Sequence, residues 1–315
     1  MPILVYLMRN MRKIILSILL TLVGNSLFAQ AELPFSQRET TYDRRDGASL
    51  TLTILTPKNA NGKGIISLMS GNFVSDYNSF TAYRERALPF VRHGYTVFLV
   101  MHRSAPRFAL PDMLEDVQRA VQFVRYHAAD YNIDPARLGI TGTSSGGHLA
   151  LLTALSKDVA DPISKDPIAK VSTRLQAVAV FCPPTDLLNF GRTDYNLAAD
   201  KPTLVKVGVL GAFGYTNWDS ATRTYIPIDN LQQRRKIDSL MSPAQVAGKN
   251  APPTFLMHGD KDPLVPIQQS QTLATRLHYL HVPVKLVVKP GAAHGWKGMD
   301  EDEHEFNAWF DLHLR

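Results

Sequence analysis

The feature that most constrains the fold is a series of solidly apolar segments that alternate with amphipathic, helical ones. The apolar segments read "GIISLM", "YTVFLVM", "RLGIT", "LQAVAVF", "PTFLM" and "VKLVV". Strands that are apolar throughout need cover on both faces, and strands that alternate with helices favour a parallel sheet. We therefore predict an α/β fold, with a mostly parallel central sheet of about eight strands and helices on both of its faces.

The flanking segments refine this prediction. Residues 49–56, "SLTLTILT", alternate polar and apolar side chains, which predicts a half-exposed antiparallel strand at the N-terminal edge. In "PDMLEDVQRAVQFVRYHAADY" the apolar side chains recur every three or four residues, which predicts a helix. They are Leu114, Val117, Val121, Val124 and Ala128. A last helix is predicted from about residue 300, with Phe306, Trp309, Phe310 and Leu312 close to one stripe.

The first 31 residues have the pattern of a signal peptide. Arg9, Arg12 and Lys13 precede the apolar run "IILSILLTLVG", and the small-residue site Ala29-Gln30-Ala31 follows it. The run is shorter than the ~20 residues that a membrane crossing needs, so an uncleaved anchor is the weaker alternative. We expect an exported protein, periplasmic or extracellular, with no stable membrane span after cleavage and with residues 32–315 as one domain.

Charge and cysteine content exclude some function classes. Without the leader, 31 basic residues stand against 28 acidic ones, and the basic residues are scattered, so no nucleic-acid partner is indicated. Cys182, the only cysteine, lies in an apolar run and is expected to be a small buried hydrophobe. No histidine pair at helical spacing accompanies a carboxylate, so neither a metal nor another cofactor is implied.

Residues 187–250 interrupt the alternation between the segments "LQAVAVF" and "PTFLM". Connections of this length are seldom idle, and this one leaves from the edge of the sheet where ligands bind. We expect a lid or cap over the site, with a surface insertion as the alternative. Six aromatic residues here are candidates for an acyl or sugar pocket, although plain packing explains them equally well. They are Phe190, Tyr195, Phe213, Tyr215, Trp218 and Tyr225.

The segment "GITGTSSGGHLALLTAL" places Ser144 where a predicted strand turns into a predicted helix. A sharp turn there exposes the hydroxyl, while close packing of strand and helix leaves no room for side chains at Gly142 and Gly146. The helix N-terminus also offers free N–H groups to an oxyanion. A phosphate-binding loop is the rival interpretation, but the lysine and glycine spacing that it requires are missing.

A serine hydroxyl needs a base that is oriented by a carboxylate, in the chain order serine, acid, histidine. "HGDKDPLVP" follows a predicted strand and offers Asp260 and Asp262 as the acid. "KPGAAHGW" follows the last predicted strand and offers His294 as the general base.

With these motifs, the chain resembles serine hydrolases of the α/β-hydrolase superfamily from about residue 49 to its end. It is similar to the hormone-sensitive-lipase-like and the acetyl-xylan or feruloyl esterase-like branches, and is related to the prolyl-oligopeptidase catalytic domain. "GTSSGG" matches the nucleophile elbow, the turn that carries the serine, and "AAHGW" matches the histidine loop. "HRSAPRFALPDMLED" resembles the family's Y-R-L-A-P segment, which precedes the helix before the elbow. "HGDKDPLVP" matches H-G-x-x-D-x-x-V-P, so the resemblance selects Asp262 over Asp260 as the acid. It implies the α/β-hydrolase fold with a lid-like insertion after the sixth strand.

The family's H-G-G-G segment is replaced here by "LMSGNFVS", with Met69 at the histidine position. The resemblance places Gly71 and Asn72 where oxyanion donors are expected, and Ser145 N–H is the other expected donor. The choice among Gly71, Asn72 and Phe73 stays open at this stage.

Several other polar residues are expected to be structural. His148 follows the elbow as a contact under the site, His258 orders the acid loop, and Asp186 caps a turn. Arg103 and Asp116 resemble scaffold positions of the family and are expected to pair internally.

The sequence therefore predicts an exported serine hydrolase, a carboxylic ester hydrolase that uses Ser144, His294 and Asp262. The expected substrate is a small-molecule or carbohydrate ester. A prolyl-oligopeptidase-type peptidase is the alternative within the chemistry, although few residues precede the core and no propeller repeats occur. A hydrolase-fold protein that only binds a ligand is the alternative from another class.

Overall fold

The computed structural model describes residues 34–315, of which residues 35–315 form one compact unit. The predicted signal peptide, residues 1–31, lies outside the described residues. None of the helices in the described part is both long and apolar enough to cross a membrane.

Eight strands form the central sheet in the order β1-β2-β4-β3-β5-β6-β9-β10. β1 pairs with β2 and β2 with β4 in antiparallel fashion, and every other pair in this sheet is parallel. The strands are β1 (Phe35–Arg45), β2 (Ala48–Pro57), β3 (Gly64–Leu68), β4 (Thr96–Val100), β5 (Leu138–Thr143), β6 (Ala177–Phe181), β9 (Thr254–Gly259) and β10 (Val284–Lys289). The predicted fold class is confirmed.

The sequence prediction missed β1, and the physical reason is its position. β1 is an edge strand whose described side chains are mostly polar and exposed, with only Phe35 and Tyr42 buried. An edge strand contacts the core through few residues and carries charges that oppose pairing with other chains. Its sequence therefore lacks the apolar pattern by which the inner strands are recognised.

Helices cover both faces of the sheet. α1 (Phe80–Arg92) and α8 (Met299–His313) pack on one face, against alternate strand side chains such as Ile65 and Val97. α2 (Leu110–Tyr126), α3 (Ser145–Leu155) and α7 (Gln268–Tyr279) pack on the other face, against the alternate set. The α2 stripe is buried as predicted at Val117, Val121 and Val124, whereas Leu312 of α8 is 49% exposed and lies off the buried stripe.

The insertion between β6 and β9, residues 187–250, is called the cap below. It contains α4 (Lys201–Lys206), a hairpin of β7 (Thr216–Asp219) and β8 (Thr224–Pro227), α5 (Leu231–Leu240) and α6 (Pro243–Val246). The hairpin forms a separate two-stranded sheet. Polar contacts hold both ends of the cap. Gln269 of α7 accepts through Oε1 from the amides of Thr185 and Asp186, just before the cap, and Asp186 accepts from Gln245 near the end of the cap.

Candidate active site

Ser144 lies at the junction of β5 and α3, in a backbone conformation that side chains rarely adopt. Its φ and ψ are 56° and −121°, and its amide donates to the carbonyl of Phe181 on the neighbouring strand at 2.9 Å. A non-glycine residue with positive φ stores strain that the surroundings must hold. The turn projects the Ser144 side chain into a cavity at the carboxyl end of the parallel strands.

The two glycines that flank Ser144 are required by close contact between backbones. A Cβ atom on Gly142 would lie 2.5 Å from the carbonyl carbon of Gly146, and one on Gly146 would lie 3.2 Å from the Leu68 carbonyl oxygen. Gly147 is similarly tight, with the Phe181 carbonyl oxygen 3.2 Å from its hypothetical Cβ. The strand and the helix therefore approach each other as the sequence predicted.

His294 is in contact with both residues that the sequence assigned to it. Its Nε2 lies 2.9 Å from Ser144 Oγ, and its Nδ1 lies 2.6 Å from Asp262 Oδ2. Because a carboxylate oxygen only accepts, Nδ1 carries the proton, and Nε2 of the neutral ring is free to accept from the serine hydroxyl. The loop that carries His294 packs directly on the acid loop, because a Cβ on Gly259 would lie 2.3 Å from the Ala292 carbonyl oxygen.

Asp262 is a buried carboxylate with four hydrogen-bond donors. Oδ1 accepts from the amides of Leu264 and Val265, both at 2.9 Å, and Oδ2 accepts from His294 and from His258 Nε2. Burial by itself raises the pKa of Asp262, but the hydrogen bonds from the two histidines and from Val265 outweigh it and hold the pKa well below its usual range. The carboxylate therefore stays charged beside His294.

Asp260, the alternative acid, lies apart from His294. Its Oδ1 accepts from the Gly291 amide at 2.7 Å, and its side chain is exposed. It connects the acid loop to the turn after β10, which is a structural role.

His258 has a more specific position than the sequence indicated. Its Nε2 lies 3.1 Å from Asp262 Oδ2 and 2.8 Å from the Val265 carbonyl oxygen, and its Nδ1 lies 2.7 Å from Ser270 Oγ. Two acceptors at Nε2 require the proton there, so Nδ1 accepts from the Ser270 hydroxyl. Two histidines thus share one carboxylate oxygen, one of them buried and the other open to the cavity. The signal in the sequence is the H-G-x-x-D spacing itself.

Cys182, His258 and Asp262 are the one set among the described residues that could bring three metal ligands together. Their ligand atoms all lie within 4.8 Å of one another. However, burial raises the pKa of Cys182 to about 12, which keeps the thiol protonated, and His258 and Asp262 already bond to each other. This set is therefore better suited to holding Asp262 in place than to holding a cation.

The loop after β3 approaches Ser144 from the other side. Asn72 and Phe73 have φ values of 50° and 61° and line the cavity beside Ser144 and Ser145. The Gly71 amide, also a candidate oxyanion donor, donates to the Val74 carbonyl at 3.0 Å and is thus used within the loop. Asn72 and Phe73 are the two candidates of this loop that line the cavity.

His148 supports this loop from below. It is fully buried, its ring packs edge-on against Phe73 with the centroids 5.4 Å apart, and its Nδ1 lies 3.2 Å from the Pro184 carbonyl oxygen. Burial lowers the pKa of His148 to about 4, so the ring is neutral near pH 7. The expected internal pair is also present, because Arg103 Nε lies 3.0 Å from Asp116 Oδ1.

The cavity over Ser144 has a volume of about 110 Å³ and mainly apolar walls. The cap contributes most of them, through Leu187, Phe190, Leu197, Val207, Val209 and Phe213. Of the six aromatic candidates, Phe190 and Phe213 are in the lining, whereas Trp218 and Tyr225 are on the exposed hairpin. Tyr215 is buried within the cap, and the Tyr195 hydroxyl donates to the Asp200 carboxylate.

Residues 52–277 match the BD-FAE family. The chain is 30% identical to the probable carboxylic ester hydrolase LipM of Mycobacterium tuberculosis over 62% of its own length and 41% of that protein, so it spans less than half of this curated relative. A solved carbohydrate esterase from gut microbiota, in truncated form, is 25% identical with a TM-score of 0.68, and the match covers 90% of this chain and 99% of that one.

An acetyl ester-xyloside bifunctional hydrolase from Caldicellulosiruptor lactoaceticus shares the fold. It has a TM-score of 0.69 at 22% identity, over 90% of this chain and 98% of the other. The resemblance to α/β-hydrolase esterases that the motifs indicated is confirmed by these comparisons.

Proposed function

The chain belongs to the BD-FAE family, and on that premise we propose that it is a serine-dependent carboxylic ester hydrolase. One observation supports this most directly: Ser144 Oγ, His294 and Asp262 form a continuous hydrogen-bonded series, with distances of 2.9 and 2.6 Å. A module that only bound a ligand would gain nothing from a strained serine whose hydroxyl is bonded to an oriented base.

In the proposed reaction, Ser144 Oγ attacks the ester carbonyl carbon while His294 Nε2 accepts the hydroxyl proton. Asp262 stabilises the resulting imidazolium and keeps its Nδ1–H oriented. The tetrahedral intermediate collapses, His294 returns the proton to the leaving alkoxide, and an acyl-enzyme remains on Ser144. Water then attacks this ester with His294 as base, which releases the carboxylic acid and restores the serine.

The oxyanion requires donors that do not have to reorganise during the reaction. We propose the Ser145 N–H at the start of α3 together with the amides of the Asn72–Phe73 turn. The α3 N-terminus adds its positive dipole. The Ser145 side chain holds the start of α3 against the loop after β3, because Ser145 Oγ lies 3.2 Å from both the hydroxyl and the carbonyl oxygens of Ser70. Each donor of this kind contributes about 3 kcal/mol to transition-state stabilisation.

The size and the apolar walls of the cavity favour a short acyl group as the part of the ester that it encloses. An alcohol with several hydroxyl groups would lose its hydrogen bonds to water against these apolar walls, so it remains outside. A cavity of about 110 Å³ is smaller than the ~150 Å³ cavity that admits benzene in an engineered protein. We propose acetyl and similarly short aliphatic acyl groups, carried by a carbohydrate.

Export is part of the same proposal. Residues 1–31 have the charge, apolar run and small-residue site of a signal peptide. An exported esterase would meet acylated carbohydrate outside the cell.

The first test is labelling of the purified mature protein with a fluorophosphonate, followed by mass spectrometry of the labelled peptide. We expect label on Ser144, and none in Ser144→Ala or His294→Ala. Asp260→Asn serves as a matched control and should label like the wild type, because Asp260 bonds to Gly291 rather than to His294. A folded wild-type protein that takes no label would refute the mechanism.

A further inference from the structure

The cap hairpin presents aromatic side chains to solvent on one of its faces. Trp218 and Tyr225 are direct cross-strand partners, and they are 55% and 62% exposed. Because side chains alternate along a strand, both point to the same face, while Asn217 and Ile226 point to the other. Side chains of this size are normally buried, and an exposed patch of them indicates a binding surface.

The base of the hairpin is fixed to the wall of the catalytic cavity. Tyr215 and Ile228, which are both buried, flank the hairpin and pair through a backbone hydrogen bond of 3.0 Å. The Arg234 guanidinium donates to the carbonyls of Phe213 and Ile228 and lies over the Tyr215 ring. Phe213 in turn lines the cavity. The hairpin is therefore a direct continuation of that wall.

Chain length limits how far the aromatic face lies from the cavity wall. Trp218 is five positions after Phe213, so the two Cα atoms are at most about 18 Å apart. A short oligosaccharide can bridge such a distance. A sugar chain whose acyl group occupies the cavity would thus come within reach of the hairpin.

We propose that the Trp218–Tyr225 face is a subsite for the sugar chain of a carbohydrate ester. This inference rests on the proposed function. Aromatic rings stack on the C–H faces of pyranose rings, while the indole N–H and the phenol O–H remain available to the hydroxyl groups. The two ring centroids are 5.1 Å apart and the ring planes are inclined by 62°. Two faces turned relative to each other suit a twisting soluble polysaccharide rather than a flat crystalline surface.

The small size of the face opposes a protein partner. An aromatic side chain buries at most about 150–250 Å², so the two together fall short of the roughly 800 Å² per partner that a stable protein interface buries. The Trp218–Tyr225 face is therefore too small to hold a second copy of the chain by itself. A sugar chain needs only a few stacked rings to be held.

The test compares a polymeric and a small substrate. We expect Trp218→Ala combined with Tyr225→Ala to raise KM for soluble acetylated xylan about tenfold, with kcat unchanged, and to leave hydrolysis of 4-nitrophenyl acetate as in the wild type. Tyr279→Ala is the matched control, because Tyr279 is 74% exposed at the end of α7 and should affect neither substrate.

A binding measurement separates this inference from the proposed function. In the Ser144→Ala background, soluble deacetylated xylan should shift the tryptophan fluorescence, and Trp218→Phe should abolish the shift. Trp218 is one of three tryptophans and the other two are partly buried. If the wild type hydrolyses no ester, the proposed function fails. The binding measurement still shows whether the Trp218–Tyr225 face holds a sugar chain.

Three outcomes would overturn the inference. The first is an unchanged KM for the polymer in the double variant. The second is a parallel loss on both substrates, which would mean that the hairpin only supports the cap. The third is conversion of a dimer into a monomer by the double variant in sedimentation analysis, which would make the face a self-interface.

Discussion

The loops that carry Ser144, Asp262 and His294 differ from the cap in what holds them in place. Each loop follows a strand of the central sheet, and backbone contacts fix it, such as the Ser144 amide on Phe181 and the contact of Gly259 with Ala292. Side-chain contacts hold the ends of the cap, such as those of Gln269 and Gln245, and the cap hairpin exposes nearly every side chain. A displacement of one ångström between reacting groups can slow a reaction about 10²-fold, whereas a binding wall tolerates exchange of its side chains.

The largest expected effect comes from replacing the proposed nucleophile, Ser144, or the proposed base, His294. Ser144→Ala and His294→Ala should each lower kcat/KM for 4-nitrophenyl acetate by about 10⁴-fold or more, and the double variant should lose little further. Thermal unfolding should show that both variants fold. Additive losses in the double variant would mean that the two residues do not act as one unit.

Removing the charge of Asp262, the proposed acid, should have the next largest effect. Asp262→Asn leaves an amide that can donate to His294 and favour the wrong tautomer, so we expect kcat to fall by about 10²- to 10⁴-fold. Asp260→Asn, two residues away and exposed, is the control and should stay within about twofold. The reverse order of effects would assign the acid role to Asp260.

His258 tests how strictly the loop that carries Asp262 must be held in place. His258→Ala removes a hydrogen bond to Asp262 Oδ2, and we expect kcat to fall about tenfold with little change in KM. His258→Gln retains an N–H donor and should recover part of the loss. Equal losses in both variants, accompanied by a lower melting temperature, would indicate a merely structural role.

Substitutions in the cap should change which acyl chain length is preferred rather than abolish activity. Phe190→Ala removes part of the wall and enlarges the cavity, so longer acyl groups should fit better. The ratio of kcat/KM for 4-nitrophenyl hexanoate to that for 4-nitrophenyl acetate should rise several-fold, which corresponds to about 1 kcal/mol of discrimination. Leu231→Ala, on an exposed cap residue, should leave the ratio unchanged. If Phe190→Ala abolished activity on all esters, the cap would be part of the catalytic support.

The last expected effect concerns how the stability of the fold depends on pH. Burial lowers the pKa of His148 from 6.5 to about 4 in the folded protein, so between these values the unfolded chain binds a proton that the folded protein does not. Unfolding free energy should therefore fall as the pH drops through this window, by up to about 1.4 kcal/mol per pH unit for this group. His102 should lower the unfolding free energy in the same direction, since burial also lowers its pKa to about 4.

Urea unfolding between pH 7 and pH 4.5 measures this dependence. His148→Gln should reduce the slope, even where it lowers the stability at pH 7. An unchanged slope would mean that His148 titrates normally in the folded protein.

Local patterns in the sequence identified Ser144 and His294 as site candidates, and the family resemblance selected Asp262 over Asp260. Ser144, His294 and Asp262 each follow a strand that apolar residues reveal, and the chain order of the three is that of the resemblance. Gly142 and Gly146 were predicted correctly, because their role depends on neighbours within a few residues. The same reasoning failed for β1 and for the β7–β8 hairpin, whose exposed side chains carry no apolar period.

The sequence by itself determined the α/β architecture and the identity of the triad candidates, since periodicity and glycine spacing are properties of short segments. Only the tertiary structure decided that the Gly71 amide is used by Val74, that His258 shares an oxygen with His294, and which cap residues line the cavity. These outcomes depend on how turns close and on which segments meet across long stretches of chain. Hydrogen-bond partners and cavity walls are set by that packing, which no local pattern encodes.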